Sequence, residues 1–286
     1  MNSAILGLIA ALSWGLHDFF ARFPSRAMGP IPTVLAVTIA GLIVLSAWVL
    51  FAGATPKLIW PQILLVVGTG VFFMLATLAL FSGLAAGPIS IVAPIAGSYP
   101  ALAMIFAVAQ GARPSLAQWA AIGAVTAGVA IVSRSGGRLE DSGELAPGTL
   151  KTVLGLAFLA SFCFAVALTA GQAAVPVFGE MQTIWLARCF GLIAILAIYL
   201  WRRPGTGVPA KWLPLLGLMG CLDVIALGTI TAAGNWPNPE FATVVSSAFG
   251  AITVVLARVF LKEEIAPTQV GGMVLIFGGV AALAGL

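Results

Sequence analysis

The stretch Gly87–Pro100, GPISIVAPIAGSYP, decides how this chain is read. It is apolar enough for a bilayer, yet it holds three prolines, two glycines and two serines. A proline inside a helix donates no N–H, and its ring frees the carbonyl four residues back. Pro94 thereby frees the Ser90 carbonyl, and Pro100 the Ala96 carbonyl. Lipid offers a freed carbonyl no partner, so this segment is expected to face protein or a water-filled cavity, with Pro94 and Pro100 as hinges. The stretch also has an echo. A shift of 151 residues carries Pro88 to Pro239, at the head of the apolar run PEFATVVSSAFGAITVVLARVFLKEE. The same shift carries Gln118 to Gln269, Gly128 to Gly279 and Val129 to Val280. A constant offset across successive apolar runs marks a duplication.

Composition agrees with a membrane reading. Of 286 residues, 61% are hydrophobic and 8% charged, and the mean hydropathy is +1.12. Soluble domains carry about 25% charged residues, so a soluble protein is excluded. The net charge of +4 does not point to nucleic acid, because the basic residues lie between apolar runs. Cys163, Cys189 and Cys221 all fall inside apolar segments and predict neither a disulfide nor a metal site. No Lys or Arg precedes the first apolar run, so that run reads as a retained span rather than a cleaved signal.

A spanning helix needs about 20 mostly apolar residues. Ten runs meet that need: Ala4–Ala21, Ile31–Phe51, Ile59–Ala85, Ile89–Ala109, Leu116–Val132, Thr152–Ala170, Gln182–Trp201, Trp212–Ala233, Phe241–Leu261 and Gln269–Leu286. The hydrophilic stretch from Ser133 to Leu150, SRSGGRLEDSGELAPGTL, divides them five and five. The expected organisation is a first five-helix repeat at 1–133, a linker at 134–150 and a second repeat at 151–286. Five spans is an odd number, so the second copy enters the membrane from the opposite side. The fold class is thus an all-α integral membrane protein of ten transmembrane helices in two inverted repeats, a plan that places a substrate site between the repeats. The first spans of each half also match: LGLIAALSWGL from Leu6 against LGLAFLASFCF from Leu154.

Several motifs together carry a family resemblance. They are Trp14-Gly15, LFSGLAAGPISIVAPIAGSYP at Leu80–Pro100, Ala187-Arg188, Leu261-Lys262-Glu263, Gln269, Gly272 and Gly278-Gly279-Val280. With these the chain resembles the ten-span EamA branch of the drug/metabolite transporter superfamily. It departs at Ala112, where the family usually has an acid, and at His17-Asp18. The resemblance implies a multi-pass protein of the bacterial inner (plasma) membrane that exports metabolites or amino acids through a central cavity. Its partners would be a small-molecule substrate and the bilayer, and the chain would act as a monomer or weak homodimer, without a cofactor. The termini are a separate matter. Nine Lys and Arg lie in loops on the side away from the termini and two, Lys57 and Arg113, on the termini's side. Cytoplasmic loops carry the excess, which puts both termini on the non-cytoplasmic side; the resemblance more often implies the reverse.

Ionisable side chains within spans are costly and face the bundle interior or a cavity. Trp14, His17 and Asp18 share a face of the first span, being at i, i+3 and i+4. They form either a proton-sensitive or cation-attracting corner of a substrate site, or a surface pair of Asp18 with Arg22. Arg188, one turn after Trp185, would hold a substrate carboxylate with its planar fork or tie to Asp223 on the next span. Arg258 is expected to snorkel or pair with Glu263 and Glu264. Ser98, Ser246 and Ser247 read either as helix-packing residues or as cavity lining. Tyr99, whose hydroxyl needs a partner in a bilayer, is assigned to the cavity.

No phosphate-cradling loop ends in Lys-Ser/Thr, so no ATP motor is built in. Catalytic and metal residues are expected to be none, since one histidine makes no zinc site unaided. The leading expectation is a secondary transporter working by alternating access. The alternatives are a proton-coupled exporter of cationic drugs using Asp18 and, in another class, an intramembrane enzyme or structural membrane protein.

Overall fold

Apolar runs of this length leave one local option, because only a helix satisfies each backbone N–H and C=O within its own segment. The structure, a computed structural model, describes residues 3–51, 59–109, 111, 113–141, 146, 148–205, 207–233, 245–246 and 248–285. The helices are α1 (Ser3–Met28), α2 (Pro30–Phe51), α3 (Ile63–Ala86), α4 (Ile89–Ala96), α5 (Tyr99–Ala109), α6 (Leu116–Asp141), α7 (Thr149–Phe178), α8 (Glu180–Arg202), α9 (Leu213–Ala233), α10 (Phe249–Phe260) and α11 (Pro267–Gly285). No strand occurs among the described residues.

Among the described residues, seven helical segments are long and apolar enough to cross a membrane: Pro30–Phe51, Ile63–Ala86, Ile89–Phe106, Leu116–Arg134, Thr149–Phe178, Glu180–Arg202 and Ala210–Ile230. The apolar helices at Phe249–Phe260 and Pro267–Ala282 are shorter. Large apolar side chains stand exposed on the outer faces, among them Ile43, Leu50, Ile193, Leu200, Val259 and Val274. An apolar exterior of that extent suits lipid and not water.

The expected span Ile89–Ala109 is broken. Gly97 N–H still donates to the Ala93 carbonyl at 2.9 Å, and Ser98 N–H tightens onto Ile95 at 3.2 Å. The chain then restarts as α5, so Pro100 falls in a first helical turn, where a missing N–H costs nothing. Pro100 therefore frees no carbonyl inside a continuous helix, whereas Pro94 lies within α4. A second difference concerns the linker. α6 runs on to Asp141, so the hydrophilic stretch begins as helix.

Every residue of α4 is buried. It touches α3, α6, α7, α10 and α11, and so forms the centre of the bundle. Around it α1 packs on α9 and α10, α3 on α7 and α8, α2 on α8 and α9, and α6 on α11.

Two close glycine contacts form a matched pair. A Cβ added to Gly220 would lie 2.7 Å from the Gly41 N, and one on Gly70 would lie 2.9 Å from the Gly191 N. A shift of 150 residues turns the pair Gly41 and Gly70 into Gly191 and Gly220, which exchanges the α2–α9 contact with the α8–α3 contact. Turns obey the same shift. Gly29 and Gly179 both take left-handed φ, 91° and 82°, between the first two helices of each half. Only glycine adopts that conformation without strain.

Candidate functional site

One cavity of about 130 Å³ lies among the central helices. From α1 it takes Trp14, His17 and Asp18, from α5 Tyr99, from α8 Arg188 and from α9 Asp223. Aromatic and hydroxyl walls come from Thr38 on α2, Phe73, Thr77 and Phe81 on α3, Phe164 on α7 and Phe249 on α10. Helices of both halves of the chain thus contribute.

The charged groups of the cavity fall into two sets. Arg188 Nη2 donates to Asp223 Oδ2. Both side chains are buried, and the Arg188 guanidinium also stands 5.5 Å from the centre of the Phe73 ring. The other oxygen of Asp223 accepts the Trp14 indole N–H at 3.2 Å. A buried charge is stable only when paired and hydrogen-bonded, and this set meets that demand. In the second set His17 Nδ1 meets Asp18 Oδ1 at 3.0 Å. Here both partners sit on α1 and are neighbours in sequence. The rings then link around the cavity wall: Trp14 meets Phe249 edge-on at 6.1 Å, His17 lies 5.7 Å from Phe81, and Phe164 touches both Phe73 (5.4 Å) and Tyr99 (6.0 Å).

A separate ionic group lies where α1 finishes and α4 begins. The expected surface pair of Asp18 with Arg22 is not formed. Arg22 Nη1 instead donates to Glu263 Oε1 at 2.7 Å and to the Gly87 carbonyl at 3.1 Å. Glu263 in turn accepts the Ile89 and Ser90 N–H groups, each at 3.1 Å. These are the orphan donors at the start of α4, where a carboxylate also suits the helix dipole. Gln269 Nε2 donates to the Ser90 carbonyl at 2.8 Å, the acceptor that Pro94 frees. Arg258 reaches the backbone carbonyl of Glu263 at 3.0 Å, rather than a carboxylate.

The remaining candidates lie elsewhere. Trp185 donates from its indole to Ser46 Oγ at 2.9 Å, in the contact of α8 with α2. Ser98 Oγ donates to the Ile95 carbonyl at 2.7 Å and stands 3.3 Å from Ser161 Oγ on α7. Neither lines the cavity. Ser246 is buried, and Ser247 lies outside the described residues. Sequence reasoning missed the phenylalanines. Each stands in a run of other apolar residues, and nothing in such a run tells a cavity-facing ring from a lipid-facing one. It also missed Glu263 as the partner of Arg22, because Asp18 at i−4 offered a nearer one.

Comparisons with known proteins agree with this architecture. The model of the EamA-like transporter family matches twice, over residues 1–134 and 151–285. Among curated proteins none matches. A solved structure titled "Crystal structure of protein" aligns with a TM-score of 0.67 at 19% identity, over 98% of this chain and 96% of its own. At that identity the likeness speaks for the fold alone.

Proposed function

We propose that this chain, which belongs to the EamA-like transporter family, is a secondary transporter exporting small amphipathic metabolites such as amino acids. In this reading two inverted five-helix repeats rock about the cavity and expose it to each side of the membrane in turn. The observation that carries the reading is the cavity itself: helices of both halves wall it, and it holds buried charges among aromatic rings. The exchanged glycine contacts and the matched left-handed turns favour the inverted repeat. A broken α4–α5 segment beside the cavity suits it too, since such transporters build their sites from discontinuous helices. Proton coupling would run through Asp18 and His17, which line the same cavity as Arg188 and Asp223. Export across a bacterial inner membrane, with both termini on the non-cytoplasmic side, completes the proposal.

Counterflow in proteoliposomes tests it. Labelled phenylalanine or another amino acid should exchange across the membrane without covalent change. Failure of both an amino-acid panel and a panel of organic amines to exchange would refute the transport reading, and products altered in mass would favour an enzyme. A reporter fused after Leu286 tests the orientation, which cytoplasmic activity would reject.

A further inference from the structure

The cavity carries two carboxylates, Asp18 and Asp223, against one guanidinium, Arg188. That guanidinium is already engaged. It bonds Asp223 and lies against the Phe73 ring, and Asp223 takes the Trp14 indole N–H on its other oxygen. A ligand carboxylate arriving at Arg188 would have to share the guanidinium with Asp223 and would meet that buried negative charge beside it, which is unfavourable. Asp18 is differently placed. Among the described residues it meets His17 Nδ1 through one oxygen at 3.0 Å. No Lys or Arg forms a salt bridge with it. With His17 neutral, the charged groups lining the cavity sum to one negative charge. Five further rings stand around it: Trp14, Phe81, Tyr99, Phe164 and Phe249. Ring faces attract cations and repel anions. In size the cavity is comparable with the about 150 Å³ apolar cavity that takes up one benzene ring.

From this geometry we infer that the cavity selects its ligand by a positively charged nitrogen, held between Asp18 and the aromatic rings, and does not recognise a free carboxylate. The ligand class is a monovalent organic amine with an apolar or aromatic body about one ring in size. An amino acid enters it by its ammonium end. The inference rests on the reading of this cavity as the substrate site.

Binding to the purified full-length protein separates this from a carboxylate-reading site. Four probes share one ring: phenethylamine and phenylalanine amide as cations, phenylalanine as zwitterion and N-acetylphenylalanine as anion. The two cations should bind at least roughly tenfold more tightly than phenylalanine, and N-acetylphenylalanine should not compete with them. Asp18→Asn keeps the side chain's size and should weaken phenethylamine binding by roughly tenfold or more. The inference is overturned if the anion competes as well as the amines, if no amine binds wild-type protein, or if folded Asp18→Asn protein binds phenethylamine unchanged. The same four compounds in counterflow keep the two readings apart. Amines that bind but never exchange would sink the transport reading alone. Exchange of phenylalanine inhibited only by N-acetylphenylalanine would sink this inference and leave transport standing.

Discussion

Asp18 and Arg22 stand one turn apart on α1, and their charges are put to opposite uses. Arg22 reaches across the bundle: its guanidinium and the carboxylate of Glu263 are taken up by each other and by the backbone at Gly87, Ile89 and Ser90. Each of those bonds ties α1, the start of α4 and the segment after α10 to one another. Among the described residues the Asp18 carboxylate is hydrogen-bonded to the residue before it, His17. A bond between sequence neighbours on one helix fixes no helix against another, so it contributes nothing to the tertiary arrangement. Burial of a carboxylate in such a place is explained by the cavity it faces. On the proposed reading, the contrast separates the ionic group that holds helices from the one that would be available to a ligand.

The strongest way to break that division is to remove the holding charge. Glu263→Ala leaves Arg22 without its carboxylate and two N–H groups of α4 without an acceptor. It should cost roughly 3 kcal/mol, read as a lowered Tm of the protein in detergent; an unchanged Tm would deny Glu263 its structural role. Next comes Gln269→Leu, which strands the Ser90 carbonyl and should cost roughly 2 kcal/mol. The loss should shrink when Pro94→Ala is added, because residue 94 then supplies the N–H itself. Equal losses with and without Pro94→Ala would show that Gln269 is not serving that carbonyl.

Pro94→Ala alone sharpens the comparison from the side of motion. Membrane yield should be normal and transport slowed, since a continuous hydrogen-bonded α4 is stiffer; wild-type rates would count against a hinge there. The smallest stability change belongs to Asp18→Asn, since its contact with His17 joins no two helices, accompanied by altered selectivity in counterflow. Arg22→Gln should show the reverse, a lowered Tm with selectivity intact. If the two variants behave alike, the distinction between holding and ligand-facing charge falls.

How much of this was legible in the sequence depended on whether the physics was local. The Arg188–Asp223 pairing could be read because a charge in mid-span demands a partner, and adjacent spans offered one of each sign. Pro94 announced an orphaned carbonyl at Ser90, but not the donor that serves it. The duplication drew attention to Gln269 through its equivalence with Gln118, yet the two have different tasks. Gln118 exchanges hydrogen bonds with Ser115 at the start of α6, Ser115 N–H to Oε1 at 2.8 Å and Gln118 N–H to Ser115 Oγ at 3.3 Å. Equivalence under a repeat transfers position and not partners. The break at Gly97-Ser98 was concealed by having two prolines, either of which could have marked it. Arg22–Glu263 spans 241 residues, and no local rule ranks such a partner above one four residues away.

The glycine contacts and the ionic closure differ in one further respect. Gly41–Gly220 and Gly70–Gly191 map onto each other under the 150-residue shift. Arg22 and Glu263 do not: the matching positions hold Ala170, by the alignment of the first spans, and Ala112, by the 151-residue offset, and two alanines make no ion pair. Were the halves identical, the two conformers of an alternating-access cycle would be degenerate and equally populated. A contact available at one end only lifts that degeneracy. Each 1.4 kcal/mol by which it favours one conformer shifts the resting ratio about tenfold. The proposed transporter would therefore wait, between cycles, with the Arg22–Glu263 end shut.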